Sequence, residues 1–383
     1  MSNYTQIYSI INDAVSDVLG NQAPRVKDTT SFSDLGRSIA NVNKYDAFFG
    51  ALAARISKTI AFVRMYEKND RRIITDYQDF GAYVQKIYTE MPSAVTNPVW
   101  NVSDGNNPPT ITSINPYDVT TTVNVTSLLY GKKGTWAVEI CLPTKQIKEA
   151  FLNLESMGAF IDSIYITIEN SMVLDMEATE ILAVDTAIAS AVNAGNKTNL
   201  LQVYNEEHEG TLTVSMALND VSFLAFASER INRTCKNMRR MSKKFNAASY
   251  ATFTPEDKLV VEVLTEFAGK AQYLLRSNPF HENLVALPGY NEIDYWQGPG
   301  TSYAFADTSK IYVKNTDITA NPIQQSGIIA FVRDEENVKA YYGDRETWEL
   351  PNPRNRTIIH GEQAEKGFAV DPHANAWVFY IAD

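Results

Sequence analysis

The period of the apolar positions changes several times along the chain. Ile7, Ile10, Ile11, Val15 and Val18 recur at helical spacing and predict a short amphipathic helix over residues 4–19, with Gly20 as its stop. A polar connector over 21–30 leads to residues 31–58, which read as one or two helices with Ser31 and Asp34 available as caps. The period then shortens. TIAFVRMYE (59–67) and GAYVQKIYTE (81–90) are rich in β-branched and aromatic residues and read as strands. Val119, Val123 and Val125 alternate with Thr120, Thr122, Asn124 and Thr126. Trp136, Val138, Ile140 and Leu142 alternate in the same way, and GKKG at 131–134 predicts a turn that pairs the two runs as a hairpin.

The longest helical signal follows, from Lys145 to Ala194, with a break near Asn153. Its apolar positions are Met157, Ile161, Ile164, Ile168, Met172, Met176, Ile181, Val184 and Ile188, and Gly195 supplies the stop. From Leu154 to Ala194 such a helix is about 60 Å long at 1.5 Å per residue. Beyond it the pattern predicts a helix over 220–245, a strand over 258–263 and a helix from there to about Leu275. Further strands are predicted at 293–297, 310–314, 327–333, 337–342, 356–361 and 377–381. The fold class is α+β, and no repeat of fixed period interrupts it.

Between the first strands lies MPSAVTNPVWNVSDGNNPPTITSINPYD (91–118). It holds five of the chain's 15 prolines, five asparagines and no Lys, Arg or His. Proline and asparagine exclude a helix there. Val95, Val99, Trp100, Val102, Ile111, Ile114 and Tyr117 make it too apolar for an inert linker. A long loop of this kind inside a compact domain is usually functional, and these residues predict an arm that docks on something.

Composition narrows the partners. The chain has 383 residues, 44% hydrophobic and 21% charged, which is ordinary globular usage. A net charge of −11 argues against gripping nucleic acid through a globally basic surface. Two cysteines, Cys141 and Cys235, suit a reducing compartment and supply no disulfide framework. The N-terminal residues MSNYTQIYSIINDAV show no signal-peptide pattern, and no run of 18 apolar residues predicts a membrane span.

Catalytic patterns are nearly absent, so no catalytic, cofactor-binding or metal-ligating residue is assigned. GKKGT at 131–135 lacks phosphate-loop spacing, and EEHEG at 206–210 lacks the second histidine of a zinc helix. His208, His281, His360 and His373 form no ligand-like pair. One basic cluster stands out on the predicted 220–245 helix. Arg230, Arg233, Lys236, Arg239, Arg240, Lys243 and Lys244 are opposed there only by Glu229. It reads as a stripe for phosphate or for an acidic partner, with a solvated helix end as the alternative.

The order of elements resembles the Hong Kong ninety-seven type major capsid fold of tailed double-stranded DNA bacteriophages. The phrases most similar to short-tailed phage capsid proteins are YVQKIYTEMP (83–92), SMGAFIDSIYITIENSMVLDMEATEILAV (156–184), FVRDEENVKAYYGD (331–344) and TIIHGEQAEKGFAVDPHANAWVFYIAD (357–383). The resemblance implies an N-terminal arm (1–30), a first part of a peripheral domain (31–70) and an extended loop (71–142). It then implies a spine helix with more of the peripheral domain (143–214), an axial domain (215–325) and return strands (326–383). Tyr83, Ile87 and Tyr88, with Val95, Val99, Trp100, Ile111, Ile114 and Tyr117, would be the loop's contacts with a neighbouring subunit.

Some members of that family weld this loop to a neighbour through a lysine–asparagine bond. No lysine lies between Lys86 and Lys132, so the arm is expected to hold by packing. The implied protein is a non-enzymatic shell subunit that forms hexamers and pentamers of an icosahedral virion capsid, assembled in host cytoplasm. Its implied partners are further copies, a portal, a separate scaffolding protein and weakly held double-stranded DNA, with no membrane and no cofactor. Two rival readings remain: an encapsulin-like cargo compartment, and a non-capsid nucleic-acid-binding protein that uses the helix 230–244.

Overall fold

The computed structural model describes residues 2–20, 25–27, 31, 35, 64–68, 71–77, 84–91, 124–130, 134–143, 154–276, 289–297, 308–314, 321–352, 354–355 and 357–383. Its first elements are α1 (Ser2–Leu19), β1 (Ile74–Tyr77), β2 (Val84–Thr89), β3 (Val125–Tyr130), β4 (Gly134–Pro143) and α2 (Leu154–Asn193). Then come β5 (Lys197–Asn199), α3 (Leu200–His208), α4 (Val221–Met238), β6 (Leu259–Leu264), α5 (Thr265–Arg276) and β7 (Asn291–Ile293). The chain closes with β8 (Ile311–Val313), β9 (Ile323–Gln325), β10 (Ile328–Asp334), β11 (Val338–Asn352), β12 (Thr357–Val370) and β13 (Ala376–Tyr380).

Contacts divide the chain into two units. The first holds 1–70, 134–179 and 342–366; the second holds 71–133, 180–341 and 367–383. In the first unit β12 pairs antiparallel with β4, Ile140 opposite His360, and β11 flanks β12 on its other side. The alternation of β4 turns Trp136, Val138 and Ile140 to one face. They meet Ile164, Ile168 and Met172 of α2 there, with Ala364. Of the strand expected at 59–67, residues 59–63 lie outside the described residues, and 64–67 form none. The Asn170 side chain satisfies their backbone instead, accepting from Tyr66 N (2.8 Å) and donating to Arg64 O (2.8 Å). A side-chain amide replaces the ladder partner that a strand would need.

The second unit is built on a five-stranded sheet of order β5-β13-β10-β6-β7. Every residue of β6 (LVVEVL) and β10 (IIAFVRD) is buried, as expected of central strands covered on both faces. On one face Val261, Val263, Ala330, Val332 and Phe379 pack with Phe223, Leu224, Ala227 and Ile231 of α4 and with Phe267 of α5. On the other face Leu264, Phe331 and Val378 pack with Ala183, Val184, Ala187 and Ile188 of α2. The α2 helix ends where Gly195 predicts. Gly195 has φ +81°, its N–H reaches Val192 O (3.2 Å), and Asn196 N reaches Ala191 O (2.8 Å). This is the paired closure that a left-handed glycine permits.

Two expectations are corrected. The strands flanking residues 131–133 do not pair as a hairpin: β3 pairs with β2, and β4 belongs to another sheet. Alternation tells which face of a strand is buried, but not which strand lies beside it. The predicted 220–245 helix stops at Met238, because the chain turns back to form the Ser242–Thr252 bridge and Thr254 N takes the Met238 carbonyl (2.8 Å). Among the described residues no helix is long and apolar enough to cross a membrane.

Candidate functional site

Among the described residues strands β2 and β3 form a separate two-stranded ribbon within the second unit, antiparallel, with Lys86 opposite Leu128 and Tyr88 opposite Thr126. Directly opposed residues share a face. Gln85/Leu129, Ile87/Ser127 and Thr89/Val125 therefore line one side. That side faces water although it is apolar: Ile87 is 62% exposed, Leu129 68% and Val125 61%. Alternating residues point their apolar side inward when only one face is covered, so three exposed aliphatic side chains on one ribbon face are unusual for a free surface.

The inner face is polar and closely held. Lys86 Nζ donates to Asp371 Oδ2 (2.6 Å) and to Glu336 Oε2 (2.8 Å). Tyr88 OH donates to the same Asp371 Oδ2 (2.6 Å) and lies 3.2 Å from Tyr130 OH. The Tyr88 ring stacks on His373 at 4.1 Å and meets Tyr250 edge-on at 5.9 Å, and Tyr250 OH donates to Thr89 O.

The titration directions follow from these contacts. Burial opposes the charge on Lys86, but hydrogen bonds to Asp371 and Glu336 outweigh it and hold its pKa above the ordinary value. Burial and the Asp371 contact push Tyr88 up, and burial pushes Tyr130 up to about 12. The hydrogen bond from Lys86 holds Glu336 below the usual carboxylate range.

Of the loop residues expected to contact a neighbour, Ile87 lies exposed on the outer face. Tyr88 lies on the inner face instead: at 9% exposure its side chain is held by Asp371 and His373 of the same chain. Tyr83, Val95, Val99, Trp100, Ile111, Ile114 and Tyr117 lie outside the described residues. Val125 and Leu129, exposed on the same face as Ile87, were not among the expected contacts. Asp371 and Glu336 stand 285 and 250 residues from Lys86, and no local pattern marks such pairs.

The basic cluster is no continuous helical stripe. Arg230, Arg233 and Lys236 are on α4, whereas Arg239 caps it and Arg240, Lys243 and Lys244 lie beyond its end. Arg230 pairs with Glu207 and covers the Phe226 ring, and Arg233 pairs with Glu229. Arg239 is bidentate to Glu256 at 2.7 and 2.6 Å. Lys244 lies over Trp377 at 5.7 Å. Lys236, Arg240 and Lys243 remain exposed. Glu207 and Glu256 join Glu229 through the fold, and they neutralise charge that the linear sequence leaves unopposed. Among the described residues no group of three or more His, Cys, Asp or Glu is placed to hold a metal ion.

The family model described as Phi29-like phage major capsid protein matches residues 11–380. No curated protein matches the chain. Among solved structures, the chain is similar to one in the capsid structure of Staphylococcus phage Andhra, with TM-score 0.54 and 12% identity over 86% of this chain and 88% of that one. It is similar as well to a chain in the structure of head fiber and inner core protein gp22 of native bacteriophage P68, with TM-score 0.53 and 13% identity over 85% and 88%.

Proposed function

The chain belongs to the Phi29-like phage major capsid protein family, and we propose that it joins its shell through the outer face of the β2–β3 ribbon. It is a structural subunit of an icosahedral phage capsid with the Hong Kong ninety-seven type fold, and its place is the virion shell. The observation that supports the docking reading is the exposure of Ile87, Leu129 and Val125 together on one side of a ribbon whose other side is anchored. The occupant of that side is a second copy of the chain, because a shell is made by repeating one heterologous contact until it closes. On this reading residues 71–142 form the extended loop and 1–30 an arm, copies gather as hexamers and pentamers, and the work is done by contacts rather than by catalysis. A portal and a separate scaffolding protein complete the assembly, which takes place in host cytoplasm.

Replacing Ile87 and Leu129 with serine tests the reading. The isolated subunit should keep its stability within about 0.5 kcal/mol, as for other surface substitutions, while closed shells disappear from electron micrographs. Normal shells from the doubly substituted chain would overturn it.

Within the basic cluster, Lys236, Arg240 and Lys243 are exposed and available to phosphate. Changing all three to glutamine should lower the salt slope of DNA retention by roughly one unit per cation if they face the genome. An unchanged slope would assign them to solvent or to an acidic neighbour.

A further inference from the structure

We propose that Asp371 is a positioning residue for shell assembly: its carboxylate gathers Lys86 and Tyr88 and thereby aims the outer face of the β2–β3 ribbon at the neighbouring copy. This rests on the docking reading above and names the residue on which that docking depends.

The need for such a residue follows from the ribbon itself. Among the described residues β2 and β3 pair only with each other. An isolated two-stranded ribbon is marginal in water, so backbone pairing alone fixes neither its stability nor its direction. Side chains of the inner face must supply both. Among the described contacts there, Asp371 is the common acceptor. Its Oδ2 receives Lys86 Nζ and Tyr88 OH, both at 2.6 Å, and its Oδ1 receives the backbone N–H of His373 at 2.8 Å. Lys86 and Tyr88 are two residues apart on one strand face. A single contact would leave the strand free to rotate about it; two contacts to one carboxylate fix both register and rotation.

Asp371 is also held firmly from behind. Its N–H donates to Asn337 O (2.8 Å) and its carbonyl accepts from Asn337 Nδ2 (2.9 Å). Asn337 is buried and ends the Glu335–Asn337 turn that leads into β11. The carboxylate is therefore attached to the body of the second unit and presented to the ribbon. Glu336 plays a lesser part: it is more exposed, and it shares itself between Lys86 and Lys258, the latter at 3.6 Å. Fixing the ribbon before docking removes an ordering cost from every subunit contact in the shell, which is the benefit of preorganisation.

The test compares Asp371→Asn with the unaltered full chain by amide exchange and by assembly. Exchange over 84–89 and 125–130 should rise roughly tenfold, the scale of one lost charge-assisted hydrogen bond. Exchange over 328–334 should stay unchanged, and the yield of closed shells should fall. Tyr88→Phe combined with Lys86→Met removes the same contacts from the ribbon side and should reproduce both effects, which covers the case where Asp371→Asn fails to fold. Unchanged stem exchange, or exchange that rises equally in 328–334, would overturn the proposal. So would a loosened stem with normal shells. In that last case the serine variant at Ile87 and Leu129 separates the causes. If it fails to assemble, docking stands and only the role of Asp371 falls; if it assembles, the docking reading falls with it.

Discussion

Arg333, on β10 and without solvent exposure, donates from Nη2 to the backbone carbonyl of Arg71 at 2.7 Å. The same guanidinium lies 3.7 Å from Glu262 on β6, which is also fully buried. Arg71 in turn donates to Tyr295 O at 2.9 Å. A charge inside the second unit thus fixes the point where the chain departs toward β1 and the loop beyond it. Burial pulls the Arg333 pKa down while Glu262 opposes the change.

Removing one member of such a pair leaves the other charged and alone. Arg333→Met should destabilise the subunit by about 3–5 kcal/mol, the range for breaking a buried ion pair. Adding Glu262→Leu should recover much of that loss, so the two substitutions will be far from additive. Urea unfolding of the four proteins of the cycle measures it, and additive losses would mean that the pair is not coupled.

Asp185 faces the same buried region from α2, and burial pushes its carboxyl well above the usual carboxylate range, with Arg71 opposing. A raised acid of this kind contributes its stability below the unfolded pKa and loses it as pH rises through the folded pKa. Asp185→Asn removes the ionisation and should make the subunit more stable than the parent at pH 7. The difference should shrink toward acid, where both side chains are neutral. Unfolding midpoints between about pH 4 and 8 test this; a variant less stable throughout would show that the ionised carboxylate is needed.

The ribbon anchor has an alkaline limit. Tyr130 is raised from 10.0 to about 12, and Tyr88 and Lys86 are also raised. Raised groups hold their stabilising effect below the unfolded pKa and lose it as pH rises through the folded one. The stem should therefore stay protected from protease at pH 9 to about 10 and lose protection as pH approaches about 12. Tyr88→Phe should shift the loss, and a parent stem already cleaved at pH 9 would contradict the anchor.

The two cysteines should differ in reactivity. Cys141 is exposed on β4, whereas Cys235 is buried in α4 and its thiol is pushed up to about 12 by burial. A thiol reagent at neutral pH should modify one cysteine per native subunit and two after denaturation. Fast labelling of Cys235 in the native protein would show that α4 opens readily.

Much of the element order was legible because local chemistry sets it. Gly20 and Gly195 end helices by adopting positive φ, and β6 and β10 follow from unbroken apolar runs between helical stretches. The failures share one cause. The described part (64–67) of the strand expected at 59–67, the hairpin across GKKG and the long basic helix were each decided by a distant partner: Asn170 for residues 64–67, β12 for β4, and the Ser242–Thr252 bridge for the end of α4.

The candidate site divides along the same line. Alternation in 84–89 sets two unlike faces by itself, because successive side chains of a strand point to opposite sides. It could not tell which face meets the body. Lys86 and Tyr88 turn inward because Asp371, 285 residues from Lys86, supplies a buried carboxylate that needs their donors. By itself the sequence determined most of the strands, the helix stops and the two unlike faces of the ribbon strand. Only the tertiary structure decided which face of the ribbon is anchored and which is left exposed, since satisfying a buried charge outweighs covering one aliphatic side chain.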